Sequence, residues 1–455
     1  MIPVLCLNVL CVVLALMLPN EFLMWNSYLL YGVQTFTLLP YLLWRARQIK
    51  DIFLPTFFAL TYYLINQTLG SFLVPRDYGW NKDYAAVALD VEHYNIIVSF
   101  LLIANIVLFL LSARAFSDLA RVPPPQPPPA RQAQVFGIED ALGIALWFAA
   151  FIAVTYFKVY TAFSFQLSIL MVHSTYLAQR RRWYRPIVYV AYLLIMVASQ
   201  FEDKREIIMA LFLMIFVETY FGRQSLEFTP RKILLYASAL ASFFGLVLAA
   251  SILRGYGDFD VRTLVDAIYY IPQYMSSDLF IDGLTDNLEL NYNYGATIAS
   301  VELLLNGKIH YQYGASLAKI FFLPLPRDLF PIKPENIMQL YTAVYAPDQA
   351  LIGGSLPVIF PCEMFLNFHY FGLLPFAVIW RFIDRMFVKY HRLPHDSFLA
   401  YSCLFLCITI LMFARGSGLE HWFLYYLVAA PALLLITVIG RSLGSRISGE
   451  SRWVV

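Results

Sequence analysis

The chain has 455 residues, of which 60% are apolar and 14% are charged, and its formal net charge is +2. Ordinary globular domains have about 25% charged residues, so this composition excludes a water-soluble protein. The apolar runs are long and do not alternate with a period of two. They therefore predict an all-α polytopic membrane protein rather than a transmembrane barrel.

About twelve apolar runs have roughly the length that a helix needs to cross a bilayer. They are 2–18, 26–43, 52–74, 94–113, 138–157, 160–178, 186–201, 206–222, 233–253, 358–380, 396–414 and 421–440. Clusters of Lys and Arg follow every even-numbered run, which predicts that both termini are cytoplasmic. The same assignment puts the proline-rich loop at 114–136 in the cytoplasm, as an extended linker or, less favoured, a ligand for SH3-type domains.

These runs divide the chain into three predicted parts, which are 1–253 with the first nine spans, a large non-cytoplasmic loop at 254–357, and 358–455 with the last three spans. Two stretches of the loop, 263–275 and 295–307, have helical periodicity and apolar faces, which predicts amphipathic helices at the membrane surface. A loop of this length is usually functional, and the alternative is a passive cap over the bundle.

Cations outside the cytoplasm are exceptions to the bias that orients the rest of the chain. Four such residues are Arg254, Arg327, Lys333 and Arg415. They either form ion pairs with acids such as Asp258, Asp328 or Glu420, or converge on an anionic group at the bilayer surface. Guanidinium groups bind phosphate oxygens in a bidentate fork, so a lipid diphosphate is the predicted ligand of Arg254 and Arg415 in particular.

Three polar residues, Glu363, Asn367 and His369, lie just inside the tenth predicted span. An ionisable group within a membrane segment is energetically expensive, so it predicts a functional site by default. His421 lies between the last two spans, on the same predicted side of the membrane.

The chain resembles the bacterial O-antigen and exopolysaccharide repeat-unit polymerases, the Wzy family. The resemblance extends over nearly the whole length and is most specific at 314–384. The family shows a Gly-Ser element, a Pro-Arg/Lys-Pro element and a Pro-x-x-Glu-x-x-x-Asn-x-x-x-x-Gly element. The matching positions, with Pro one residue closer to Glu, are Gly314–Ser316, Pro326–Pro334, Pro361, Glu363, Asn367 and Gly372. The charged hinge at 203–206 and the turn at 413–417 also fit basic outer motifs of the family.

The resemblance implies a GT-C-like glycosyltransferase of the bacterial inner membrane whose large helical loop is periplasmic and which uses no metal or other cofactor. Undecaprenyl-diphosphate-linked oligosaccharide would be both donor and acceptor. The other implied partners are the lipid bilayer and a chain-length regulator protein, and no nucleic acid is expected.

Site roles follow from the chemistry of this transfer. Fixed cations can stabilise the diphosphate leaving group without a metal. The candidates are Arg254, Arg327, Lys333 and Arg415, followed by Lys204 and Arg205. A base must accept the proton of the acceptor hydroxyl, and its candidates are Glu363 and His421, followed by His369, while Asn367 would bind substrate. Glu363 as the structural partner of an arginine is the other interpretation.

Three alternatives stay open at the level of sequence. An O-antigen ligase shares the helix-bundle plan but passes the chain to the lipid A core. A transporter of lipid-linked oligosaccharides would commonly show an internal repeat, and this chain shows none. A metal-dependent GT-C enzyme would use acidic residues such as Asp90 and Glu92, although an isolated pair is more typical of a solvated surface.

Overall fold

The computed structural model is helical, and no strand occurs among the residues that it describes. These are 1–49, 54–76, 92–121, 264–277, 290–323, 333–351, 354–390, 398–412 and 418–448, with shorter pieces between 145 and 261 and at 279–280, 330, 414 and 416. The chain forms two compact units. The first comprises Met1–Arg121, Ala241–Arg385 and Ile410–Phe423, and the second comprises Val122–Leu240, Met386–Thr409 and Leu424–Val455. All side chains of the candidate site belong to the first unit.

Several described helices are suited to a membrane, as the composition predicts. Three are long and apolar enough to cross one, namely Pro55–Arg76, Tyr94–Arg121 and Gly418–Leu435, and Ile2–Met17 is apolar but shorter. The predicted runs that lie mostly outside the described residues are 138–157, 160–178, 186–201, 206–222 and 233–253. The all-helical class is therefore confirmed for the described residues, three of their helices are candidate membrane spans, and the number of spans stays a prediction.

Four helices at the start of the chain pack against one another. They are α1 (Ile2–Met17), α2 (Asn20–Ile49), α3 (Pro55–Leu73) and α4 (Tyr94–Arg121). The side-chain amide of Asn105 on α4 donates to Oε1 of Gln34 at 2.9 Å and to Oε1 of Gln67 at 2.7 Å. Because apolar packing has little directional preference in a membrane, such hydrogen bonds help to fix how these helices align.

The helix α5 (Leu264–Met275) confirms the helical periodicity predicted at 263–275. Ala267 and Tyr274 are buried on one face, while Val265 and Tyr269 on the other are 75% and 79% exposed. An apolar face left open in this way is typical of a helix that lies on a membrane.

The next helix, α6 (Leu290–Leu305), corrects the prediction for 295–307. A helix forms there, but nearly all of its described side chains are buried against α3, α4 and the helix that carries Glu363. At its end the Glu302 carboxylate accepts hydrogen bonds from the backbone N–H groups of Glu92, at 3.0 Å, and His93, at 3.2 Å. It therefore stabilises the N-terminus of α4, and the predicted position at the membrane surface was wrong.

Three short helices follow α6. They are α7 (Ala315–Phe322), α8 (Ile337–Tyr345) and α9 (Pro347–Leu351). Gly314 begins α7 with a left-handed φ of 88°, a conformation that glycine adopts without strain. Asn336 begins α8, and its side chain accepts a hydrogen bond from the backbone N–H of Met338. Gly314 and Asn336 thus set where α7 and α8 begin in the polar part of the predicted loop.

The predicted span at 358–380 is not one continuous helix. Two helices, α10 (Phe360–Phe368) and α11 (Leu373–Tyr390), replace it. Between them His369 has a φ of 54° and a ψ of −142°, which ends α10. The break leaves Glu363 on a short helix that is separate from α11. Downstream lie α12 (Phe398–Met412) and α13 (Gly418–Ser448).

Candidate functional site

A buried cluster of polar side chains joins α7, α10 and the first turn of α13. Its members are Ser316, Lys319, Glu363, Asn367 and Glu420, and none of them is more than 8% exposed. Burying an ionised side chain costs several kcal/mol unless it gains partners, so each charged member must be accounted for by its contacts.

The charged members include an ion pair. Lys319 Nζ lies 2.7 Å from Glu420 Oε2, and both side chains are buried. The loss of hydration offsets much of the attraction in a buried pair, so the pair is weak evidence for a stabilising role. Its retention in the interior makes a functional role the more economical interpretation.

Glu363 is the second carboxylate of the cluster and is 2% exposed. Its Oε2 accepts a long hydrogen bond of 3.4 Å from the backbone N–H of Leu419, in the first turn of α13, where the helix dipole favours negative charge. Ser316, Lys319 and Glu420 are close enough to act on its charge. The carboxylate thus links α10 to the start of α13 by a hydrogen bond and lies beside the polar side chains of α7.

Asn367 joins the two parts of the chain that carry the family-like elements. Its Oδ1 accepts from the backbone N–H of Gly314 at 2.8 Å, and its amide donates to Ser316 Oγ at 2.8 Å and to the Glu363 carbonyl at 2.7 Å. The Gly-Ser element and the Glu and Asn of the following element are therefore in direct contact. Sequence analysis identified each element but could not show that they meet.

Two glycines permit close backbone approaches around the cluster. A Cβ atom at Gly372 would collide with the carbonyl oxygen of Met364, so a side chain there cannot be accommodated without backbone movement. Gly416 has a φ of 113°, and its carbonyl accepts from the N–H of Val358 at 3.3 Å. Close packing before and after α10 thus explains why glycine stands at these two positions of the family-like motifs.

Most of the predicted cations lie outside the described residues. These are Arg254, Arg327, Arg415, Lys204 and Arg205. His421 follows Glu420 in the first turn of α13, but its side chain is also outside the described part. Their convergence on one anion therefore stays a prediction.

Two other predicted site residues, Lys333 and His369, belong to the described part of the chain and lie at different places. Lys333 is half-buried and donates to the carbonyl of Leu323 at 3.4 Å. The ring of His369 packs on Phe365, with centroids 4.5 Å apart, two residues after Asn367. His369 therefore borders the cluster, whereas Lys333 donates to the end of α7.

Sequence analysis missed three members of the cluster, Ser316, Lys319 and Glu420, as site residues. Glu420 does form an ion pair, but its partner is Lys319 and not one of the four outward cations for which ion pairs were an open interpretation. A local signal was available, because Ser316 and Lys319 are three residues apart and lie on one face of a helix. No comparable signal links either of them to Glu420.

Within the described residues, no group of three or more His, Cys, Asp or Glu side chains is arranged to hold a metal ion. Asp90 lies outside those residues, and Glu92 is exposed. The chain matches no protein-family model, no curated protein and no solved structure.

Proposed function

We propose that the protein is a membrane glycosyltransferase of the Wzy type, which joins undecaprenyl-diphosphate-linked oligosaccharide units into a surface polysaccharide. In this proposal about twelve helices of a GT-C-like bundle cross the bacterial inner membrane, both termini are cytoplasmic, and the site opens to the periplasm. The observation that supports it best is the contact of Gly314 and Ser316 with Asn367 and Glu363. Residues that resemble the family in separate elements meet in one buried polar cluster.

The proposed reaction moves the growing chain from its carrier onto the next unit. A hydroxyl oxygen of the acceptor sugar forms a bond to the anomeric carbon of the donor, and the bond from that carbon to the diphosphate oxygen breaks. The electron pair stays on the diphosphate, where fixed cations stabilise it. The candidates remain Arg254, Arg327, Arg415 and Lys333, with Lys204 and Arg205 behind them.

The acceptor proton needs a base, and Glu363 is our first candidate because of the charges around it. Among the described members of the cluster, two carboxylates face one ammonium group, so ionised Glu363 leaves one uncompensated negative charge in a buried place. Accepting a proton removes that charge, and low surrounding polarity favours the neutral form. His421 and then His369 are the other candidates for this role.

A complementation experiment tests the proposal. A strain that lacks the gene receives either the wild-type gene or Glu363→Gln, with Glu335→Gln as a matched control because Glu335 is exposed in the same part of the chain. We expect the wild type and the control to restore a ladder of long polysaccharide, and Glu363→Gln to leave single repeat units on lipid A. Protein levels are compared by immunoblotting of membranes.

Three results would contradict the proposal or its choice of base. A normal ladder from Glu363→Gln at the wild-type protein level would exclude Glu363 from the reaction. Finished but unligated polymer on the lipid carrier of the deletion strain would identify an O-antigen ligase instead, and repeat units retained on the cytoplasmic side would identify a transporter.

A further inference from the structure

A group of aromatic side chains borders the polar cluster. The rings of Tyr311 and Tyr313 have centroids 6.0 Å apart, and those of Tyr311 and His369 have centroids 6.3 Å apart. Tyr313 is 80% exposed, although removal of a tyrosine ring from water is energetically favourable. We call these three residues the aromatic shelf.

The backbone of the aromatic shelf is strained at two positions. Tyr313 has a φ of 46° and His369 a φ of 54°, and in the described part of the chain no other residue except glycine has a positive φ. Side chains with a Cβ atom rarely adopt this region, and such outliers concentrate at functional sites. Glycine would remove the strain at either position but would also remove the ring.

Hydrogen bonds hold Tyr313 in place from both sides. The backbone N–H of Gln312 donates to the Leu366 carbonyl at 3.0 Å, and that of Gly314 donates to Asn367 Oδ1 at 2.8 Å. The residues before and after Tyr313 are thus fixed on α10, while its own side chain extends into open space. Because the backbone is already fixed, it loses little entropy when a ligand binds to the ring.

The surroundings of the aromatic shelf are polar. Lys308 and His310, a few residues before Tyr311, are exposed, and exposed ionisable groups are unfavourable in hydrocarbon. The side chain of Gln312 donates to the carbonyl of His310 at 3.0 Å, which orders this approach to the shelf. A membrane anchor would need neither a strained backbone nor two neighbouring rings. Contact with lipid therefore does not explain these two features of the aromatic shelf.

The chemistry of the shelf suits a sugar ring. The face of a pyranose presents C–H groups, which pack on the negative face of an aromatic ring, and its hydroxyl groups find partners in phenol, imidazole and amide groups. We propose that the aromatic shelf is a sugar subsite, in which one pyranose ring of the lipid-linked oligosaccharide stacks on Tyr313 beside Tyr311 and His369. This inference rests on the proposed function, since it names the place where that substrate is held next to the cluster.

Binding of free oligosaccharide tests the subsite apart from catalysis. The probe is the oligosaccharide released by mild acid from the carrier lipid of a strain that lacks the gene. The full-length protein is kept in a detergent without a sugar headgroup, so that detergent does not compete. Saturation-transfer NMR should show transfer to the C–H protons of one ring of the probe. Tyr313→Leu should weaken binding about tenfold, and Tyr313→Phe should leave it within about twofold of the wild type.

The matched control is Tyr269→Leu, because Tyr269 is 79% exposed on α5 and is not part of the aromatic shelf. Its affinity should equal that of the wild type. No transfer with the wild-type protein, or equal binding by Tyr313→Leu and the wild type, would overturn the subsite.

The same preparations then receive the intact lipid-linked oligosaccharide, and polymer is measured on gels. Polymer formed by Tyr313→Leu with the wild-type KM would also overturn the subsite while the polymerase proposal stands. Ring-dependent binding by a wild-type protein that makes no polymer would overturn the polymerase proposal and retain the subsite as a sugar-binding site.

Discussion

Two groups of buried polar side chains in the first unit differ in charge. In the bundle of α2, α3 and α4, Asn105 bonds to Gln34 and Gln67, and all three are neutral amides. In the cluster, Lys319 and Glu420 carry charges and lie beside a second carboxylate. Neutral amides help to align helices and cost less to bury than charges, each of which costs several kcal/mol, although Asn105 Oδ1 and Gln67 Nε2 have no hydrogen-bond partner among the described residues of this bundle. The difference suggests that the amides serve packing and the charges serve chemistry.

Another buried carboxylate refines this comparison. Asp384 on α11 is fully buried, and its two oxygens accept from the backbone N–H of Thr56 at 3.3 Å and from the hydroxyl of Thr56 at 2.8 Å. Both oxygens thus serve the first turn of α3, which is a structural task. An ion pair lies near Asp384 as well, but its members Arg381 and Asp118 are 15% and 30% exposed. The pair beside Glu363, in contrast, is buried. Burial of a carboxylate alone therefore does not indicate catalysis, and the burial of the neighbouring charges is what distinguishes Glu363.

The largest expected effect comes from Lys319→Met, which leaves two carboxylates in a buried place without their cation. We expect a loss of about 3–5 kcal/mol in the free energy of unfolding, because removing one partner of a buried pair strands the other. The measurement is thermal unfolding of the purified protein. The double variant Lys319→Met, Glu420→Leu should recover much of that stability but no polymer formation. A single variant as stable as the wild type would show that the pair is not buried as described.

A second prediction compares two asparagines directly. Asn105→Leu removes two side-chain hydrogen bonds in the bundle and should cost about 1 kcal/mol, with activity per molecule unchanged. Asn367→Leu removes the link between Gly314, Ser316 and α10 and should stop polymer formation. Melting temperature and polymer length are measured on both variants. Equal loss of polymer in the two variants at equal protein levels would remove the distinction between packing and chemistry.

The sequence predicted the parts of this fold that depend on local signals. The runs that became α1, α3 and α4 are apolar over about the length of a bilayer span, and that signal needs no knowledge of neighbours. The burial of α6 depends on the helices that pack around it. The pattern at 295–307 predicted an amphipathic helix, but packing against α3, α4 and α10 buries nearly all described side chains of α6.

The residues of the candidate site likewise fall into those that local sequence signals identified and those that depend on distant contacts. Glu363 and Asn367 were identified because polar groups inside an apolar run are unusual. Lys319 and Glu420 were not, because their contact joins distant parts of the chain, and each residue alone resembles an ordinary surface charge. The break at His369 was also missed, although Gly372 and Pro375 shortly after it are residues that commonly follow the end of a helix.

The smallest expected effect tests whether a buried carboxylate can be purely structural. Glu302→Gln removes the negative charge at the N-terminus of α4 and replaces one oxygen by an amide NH2, so it also loses one of the two hydrogen bonds from the N–H groups of Glu92 and His93. We expect a loss of about 1 kcal/mol in stability and full activity. Thermal unfolding at low and high salt and polymer length are the measurements. Full loss of polymer from a stable Glu302→Gln protein would show that a carboxylate outside the cluster also takes part in the chemistry. The distinction between a bundle whose polar groups serve packing and a cluster whose charges serve chemistry would then be wrong.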